Sequence, residues 1–536
     1  MKKTCAIACL CIFSFAAAWG QPPASATQKC RDLASLKLPH TDVIEADVTE
    51  AGQMAAPQGD EKDLLFGKLP AFCHVQAESH PSADSKIKID VRLPVDGWNG
   101  KFLGVGNGGF AGQIDYRRMA RDLLSGYATA GTDTGHTGSG IDATWALGHP
   151  EKIADFGYRA VHEMTLTGEA IAQAYYGRAA SHRYFASCSD GGREALMEAQ
   201  RFPTDYDGIL AGAPAYNWTD LLTDFLYTVQ VLQKDPASYI PAAKLPVIGK
   251  AVLAQCSPGS TTGFLDDPRQ CHFDPSTLQC AAAENDKCLT APQVTALKAL
   301  YAGPPIKDGK TVNHGWLPGA ELGQNGWAGW ITGPAPSHSA IWAFATGYLA
   351  NMVYGKTDLD VETLNLEDAL KAAESTTGSV LDAVNPDLSA FRAHGGKLIL
   401  FHGWNDPAIP APDTVDYFDR VVAAAGKRKA DGFVRLFMVP GMQHCAGGPG
   451  PDNFGQGGPV EDPAFNDPAH SIYSALESWV ETGSAPAKVV ARKVEDENGK
   501  PAELFSRPLC PYPQAATYSG SGDRNSAASY ICAAPK

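Results

Sequence analysis

Six residues carry the chain from a strand into a helix, and they narrow what the rest of it can be. Arg183 to Ala186 reads as a short strand. It enters Ser187-Cys188-Ser189-Asp190-Gly191-Gly192, and Arg193 to Arg201 continues as a helix stopped by Phe202-Pro203. A backbone that doubles back this tightly needs small flanking side chains, because larger ones collide across the turn. The same alternation recurs elsewhere. Lys86 to Leu93 alternates as a strand, and Lys101 to Gly106 is a strand running into Asn107-Gly108-Gly109. Phe156 to Tyr176 has helical spacing, and Gly208 to Ala213, Lys397 to Phe401 and Val434 to Val439 are further buried strands. Short strands alternating with helices predict an α/β fold with a largely parallel sheet.

The chain has 536 residues. At about 150 residues per domain that is three or four units, or one large α/β domain with an insertion. The stretch 216–385 favours the insertion. It lacks convincing parallel strands and holds Cys256, Cys271, Cys280 and Cys288 together with Trp316, Trp327, Trp330 and Trp342. The expected division is therefore 1–20 as an export signal, 21–215 with 386–536 as the catalytic core, and 216–385 as a disulfide-stapled lid. Lys plus Arg is 44 against 59 Asp plus Glu, a net charge of −15 without a basic patch, which disfavours nucleic acid as a partner.

Lys2 and Lys3 precede an apolar run, Thr4 to Ala18, that is too short for a membrane span, and Ala18-Trp19-Gly20 supplies small residues for cleavage. No later run is apolar enough to span a membrane, so a secreted or periplasmic protein without a membrane partner is expected. Removing this segment takes Cys5, Cys9 and Cys11 with it and leaves ten cysteines in an oxidising compartment. Short loops favour Cys256–Cys271, Cys280–Cys288 and Cys510–Cys532, and Cys30–Cys73 is a reasonable N-terminal pair. Cys188 and Cys445 remain for each other. The absence of any Cys-x-x-Cys pair argues against thiolate-bound zinc.

Read alone, Ser-x-Ser-x-Gly is a weak motif that an ordinary glycine-rich helix start also satisfies. Its context strengthens it. Leu398 to Phe401 is followed by His402-Gly403-Trp404-Asn405-Asp406, and Leu436 to Val439 by Pro440-Gly441-Met442-Gln443-His444. The order Ser189, Asp406, His444 is that of an α/β-hydrolase triad, and both partners follow strands, where open sheets place their sites. Cys188 precedes the serine and Cys445 follows the histidine, so a bridge between them would tether nucleophile to base. Ser189 is then the nucleophile, His444 the base and Asp406 the residue that orients it, with Asp413 a second candidate for that acid. His402 reads as a hydrogen-bonding strand end. The oxyanion donors expected are the backbone N–H of Asp190 and of Gly108, with Gly109 beside it. The loop carrying those glycines lacks the lysine of a phosphate-binding loop.

These residues resemble the tannase/feruloyl esterase family, which includes bacterial mono(2-hydroxyethyl) terephthalate hydrolases. The resemblance rests on Gly131 to His136, Asp155 to His162, Cys188 to Arg193, Ala211 to Ala215, His402 to Asp406, His444 to Gly448 and Arg507 to Pro513. It implies an α/β-hydrolase core with an inserted lid, a Ser189–Asp406–His444 triad and a Cys188–Cys445 bridge. Ser187 stands where the family usually has Gly. Many members also hold a structural calcium in an Asp-rich loop between two lid cysteines. Here that loop, 257–265, offers Ser, Gly and Thr, and only Asp266 and Asp267 follow. The calcium is expected to be lost or weak, and no other cofactor or metal is expected.

The substrate expected is a small aromatic ester. Trp316, Trp327, Trp330 and Trp342 are candidate walls for a planar acid, as is Phe344. By resemblance, terephthalate-specific members grip the free carboxylate with a lid arginine, and no Arg lies between Arg269 and Arg392. Lys356 would be a point charge without bidentate geometry. A feruloyl ester is the first expectation by elimination. A galloyl ester is the second and mono(2-hydroxyethyl) terephthalate the third. The remote alternative is a polyphenol-binding protein on an inactive hydrolase scaffold.

Overall fold

The computed structural model describes residues 24–57, 64–258, 262–305, 313–323, 325–460, 462–497 and 500–534. The export signal expected at 1–20 lies outside them. Nine strands form one sheet: β1 (Thr41–Thr49), β2 (Phe72–Ser79), β3 (Ile87–Pro94), β4 (Lys101–Val105), β5 (Ala128–Thr132), β6 (His182–Cys188), β7 (Gly208–Gly212), β8 (Lys397–Gly403) and β9 (Val434–Val439). Their spatial order is β1-β2-β3-β5-β4-β6-β7-β8-β9. Strands β5 to β9 and β4 pair in parallel, and β1, β2 and β3 extend the β5 edge antiparallel.

Successive residues of the inner strands serve opposite faces. Phe102, Phe185, Ile209 and Leu400 pack with the helices Ala160–Tyr176, Asp190–Arg201 and Ala411–Ala425. Their neighbours Leu103, Tyr184, Leu210, Ile399 and Phe401 pack with the helix Ile472–Thr482. A sheet covered on both sides needs apolar residues at every position, which is why β7 and β8 read as unbroken runs rather than alternating ones. From β4 the chain crosses to β5 on one side and then to β6 on the other. The C-terminal ends of β4 and β6 therefore flank the point where strand order reverses, the usual crevice for a ligand.

Between β7 and β8 the chain leaves the sheet over residues 213–396. The described residues there form helices, including Trp218–Gln233, Leu245–Cys256, Ala291–Ala302 and Ala340–Tyr348, with a single bridge between Gln279 and Leu289 as their strand-like pairing. They bury their own apolar centre, built from residues such as Leu226, Ile248, Leu297, Trp316, Trp327 and Leu349. The five cysteine pairs are those expected: Cys30–Cys73, Cys188–Cys445, Cys256–Cys271, Cys280–Cys288 and Cys510–Cys532.

The structure departs from the sequence reading in two places. The helix expected from Phe156 begins with a wider π-type turn, Asp155–Arg159, before the regular helix Ala160–Tyr176. Arg193 causes this locally. Its guanidinium donates to the carbonyls of Gly157 at 2.6 Å and Phe156 at 3.1 Å, drawing them out of the regular ladder. Strands β1 and β2 were not anticipated. A bulge between Val43 and Glu45 breaks the two-residue period of β1 and leaves Ile44 exposed.

Several carboxyl groups are buried and displaced upward by that burial: Asp122 and Glu169 to about 7, and Glu194 to about 8. An unfolded chain releases such protons near pH 4. Between there and their folded values the native state holds more protons, so raising the pH removes stability. The melting temperature should fall between about pH 4.5 and about pH 8 and level off above that. A scan that is flat or rising over that window would show these groups ionised at no cost.

Candidate active site

Strand β6 ends at Cys188 and a helix starts at Asp190, so Ser189 alone makes the turn. Its φ is 69° and ψ −125°, a left-handed conformation that a side chain adopts only when the surroundings impose it. The next two glycines are required by contact. A Cβ on Gly191 would overlap the Ser187 hydroxyl, and one on Gly192 would lie 2.8 Å from Pro214 Cα. The turn presents Ser189 Oγ 2.8 Å from Nε2 of His444, which stands on the loop after β9.

His444 Nδ1 lies 2.8 Å from Asp406 Oδ2 on the loop after β8. The other oxygen of Asp406 accepts from the backbone N–H of Ala408 at 2.7 Å and Ile409 at 3.0 Å. His402, at the end of β8, adds its Nε2 at 3.0 Å to Asp406 Oδ2, and its Nδ1 meets Thr414 Oγ1 at 2.8 Å. Burial alone would raise the Asp406 carboxyl. The charge of His444 and the hydrogen bonds from both histidines outweigh it and hold the group far below the usual carboxylate range. The rival acid, Asp413, faces elsewhere. Its Oδ1 is 2.6 Å from His314 Nδ1, in a separate cleft with Tyr216 and Asn217. A hydroxyl, an imidazole and a fixed carboxylate in this sequence can move a proton off the hydroxyl as it attacks an electrophilic carbon.

The Cys188–Cys445 bridge, with Cα atoms 6.0 Å apart, joins the residue before Ser189 to the residue after His444. An error of about 1 Å in such a pair costs on the order of 100-fold in rate. Replacing both cysteines with alanine should lower kcat about 10- to 100-fold while the protein still folds, as read by initial rates beside a melting curve. A double variant with wild-type kcat would show that the bridge positions nothing.

Asn107 to Gly109 lie across from Ser189 at the end of β4, on the wall of the same groove. Among the described residues the backbone N–H groups of Gly108, Gly109 and Asp190 have no protein acceptor. Gly109 has φ 58° and its Cα faces the Gly140 carbonyl, so only glycine fits. Gly108 has open space where a Cβ would be.

The groove holds about 830 Å³ and shares Gly109, Ser189 and Trp330 with a narrow slot of about 30 Å³. Asn107, Gln113, Asp115, Arg117 and Arg118 give the groove a polar wall. Trp218, Leu221, Leu222, Phe225, Trp330 and Phe344 line the slot beneath Ser189, and no charged side chain other than Asp190 is among the described lining residues. Trp330 is the one expected tryptophan found here. Its ring meets the His444 ring edge-on at 5.1 Å and stacks on Phe344 at 6.1 Å. Trp316 and Trp327 are buried in the helical centre, and Trp342 packs on its margin without reaching the cavity, so all three are structural. Trp218, Leu221, Leu222 and Phe225 went unnoticed because a run such as Trp-x-x-Leu-Leu-x-x-Phe is also the core face of any buried helix.

Among the described residues one group of possible metal ligands gathers: His162, Glu198 and Asp205. His162 Nδ1 and Asp205 Oδ2 are 2.6 Å apart, a direct hydrogen bond with no room for an ion between them.

The family profile described as "Tannase and feruloyl esterase" matches residues 73–533. The chain belongs to the tannase and feruloyl esterase family. It is 41% identical to an uncharacterized esterase of Xanthomonas campestris pv. campestris, over 95% of this chain and 92% of that one. It is 36% identical to the mono(2-hydroxyethyl) terephthalate hydrolase of Piscinibacter sakaiensis, over 84% and 82%. The crystal structure of feruloyl esterase B from Aspergillus oryzae superposes with a TM-score of 0.85 at 27% identity, covering 95% of this chain and all of that one. This family member is accordingly a carboxylic ester hydrolase with an α/β-hydrolase core. Among its described residues no helix is long and apolar enough to cross a membrane.

Proposed function

We propose that this family member is an exported serine esterase that cleaves esters of aromatic acids, hydroxycinnamate esters first, with the excursion 216–385 serving as a lid over the site. The observation that carries the reading is the hydrogen-bonded chain Ser189–His444–Asp406 set over an aromatic slot. Ser189 Oγ attacks the ester carbonyl while His444 takes its proton. The N–H groups of Asp190 and of Gly108 or Gly109 receive the developing oxyanion. The same imidazole then protonates the departing alcohol. Water, activated by His444, releases the acid from the acyl-enzyme.

The slot favours an apolar planar acyl group. An acid with a second, free carboxylate would need a cation there, and the described lining supplies none. Three galloyl hydroxyls would need more polar partners than Ser189 and Asp190, the polar residues of that lining. The polar groove is left to the alcohol. Phe344 lines the slot without touching the triad, so Phe344→Ala should raise KM about tenfold and leave kcat within a few-fold. An unchanged KM would move the acyl group out of the slot.

The reading includes no calcium. Asp267 is spent on Arg269, with bonds of 2.9 and 2.8 Å, and burial raises the Asp266 carboxyl, which disfavours the ionised form. One carboxylate is thus occupied and the other is held toward its neutral form, a poor donor set for a hard cation. The purified protein should carry less than stoichiometric calcium by elemental analysis, and EDTA should not shift its melting temperature.

The deciding experiment compares methyl ferulate, methyl gallate and mono(2-hydroxyethyl) terephthalate with the mature enzyme. Methyl ferulate should have the highest kcat/KM. A preference for either other ester overturns the acyl assignment, and inertness toward all three overturns the esterase site.

A further inference from the structure

Resting on the reading of Ser189 as nucleophile, we propose that Glu194 is a positioning residue that fixes the oxyanion-binding loop at its working distance from Ser189. Glu194 lies one turn along the helix that Asp190 starts, and it is buried. Its Oε2 accepts the backbone N–H of Asn107 at 2.8 Å. In the opposite direction, the N–H of Gly191 donates to the Asn107 carbonyl at 3.0 Å. The loop is thus stitched to the first turn of the nucleophile helix at a single residue. Gly106 closes the contact, since a Cβ there would stand 2.7 Å from the same Glu194 oxygen.

On its far side the loop is tied to the sheet. Asn107 Nδ2 donates to the carbonyls of Thr132 at 2.8 Å and Gln113 at 2.9 Å. The next N–H groups along the loop are those of Gly108 and Gly109, and the opposing N–H is that of Asp190. One helix therefore carries one oxyanion donor directly and holds the loop bearing the other through Glu194. Without the carboxyl, the sheet-side anchor and the Gly191 bond would remain, and the loop could pivot about them. A donor that drifts by a fraction of an ångström loses its bond to the transition state more than to the bound ester.

Only an acceptor is needed for this role, not a charge. Burial, reinforced by Asp190, pushes the Glu194 carboxyl up to about 8, and its carbonyl oxygen can hold Asn107 in the neutral form. Glutamine offers the same acceptor at the same length. Methionine offers the volume without it.

The test uses E194Q and E194M in the full mature chain, with methyl ferulate kinetics, a fluorophosphonate that labels reactive serines, and melting curves. E194Q should stay within about threefold of wild type. E194M should lose about 30- to 100-fold in kcat with KM within about threefold, and label as much more slowly but to the same final stoichiometry. If E194M does not fold, E194L takes its place under the same criteria. Retained kcat in the apolar variant, an equal loss in E194Q, or a loss confined to KM would each overturn the proposal. A wild-type protein that neither hydrolyses nor labels would overturn the Ser189 reading instead, and the two failures are distinguishable.

Discussion

Ser189→Ala should abolish ester hydrolysis, lowering kcat by about six orders of magnitude while leaving the protein folded. The expectation rests on Oγ being the atom that meets His444 Nε2 at 2.8 Å. With the hydroxyl gone, imidazole and oxyanion donors remain, and only a background of about 10³- to 10⁴-fold over water survives. The fold has no reason to suffer, because the hydroxyl makes no other contact of note and alanine occupies the same backbone conformation. Ser189→Gly adds a second readout. At φ 69° a Cβ is strained by about 1–3 kcal/mol, so the glycine variant should melt higher than the alanine variant. Hydrolysis by Ser189→Ala at even one per cent of wild type would move the nucleophile elsewhere.

Asp406→Asn should cost about 10⁴-fold in kcat. It should also destabilise the protein, which an exposed orienting carboxylate would not. Asp406 accepts four hydrogen bonds, from His444, His402 and the N–H groups of Ala408 and Ile409. An amide turns one acceptor into a donor. Whichever way it is flipped, buried N–H groups then face N–H groups, at about 1–3 kcal/mol for each donor left unpaired. The wrong tautomer of His444 follows, with its acceptor turned toward Asp406 and its proton toward Ser189. Asp413→Asn is the control, and its kcat should stay within about twofold because its partner is His314. Equal losses in both variants would mean that the acid had been misassigned.

The core of this machinery was legible because its chemistry is local. Strand, turn and helix around Ser189 are written in consecutive residues, and the two downstream strands announce Asp406 and His444 by where they stop. The cysteines flanking both ends of the triad were legible for the same reason. Side chains that act from a distance were not. Trp327, Trp330 and Trp342 are alike in sequence, and only packing sorts the wall from the core. The helix Asp190–Arg201 looked charged on paper, yet Arg193, Glu194 and Glu198 are buried in it, because Arg193 neutralises Asp190 at 2.6 Å and the carboxyls are held in a low-dielectric interior. Strand β1 was hidden by its bulge, which no two-residue period can reveal.

The Cys188–Cys445 bridge has a consequence beyond the site. It closes a ring of chain that contains the whole excursion 213–396, with Ser189 on one arm and Asp406 and His444 on the other. A protease that cut once within 213–396 would produce two fragments, one carrying β1 to β7 and the other β8 and β9. The fragments would still be one molecule, running as a single species until reduced, with Ser189 and His444 joined by the bond between their neighbours. The excursion is thus a part from which the molecule can lose a peptide bond without coming apart.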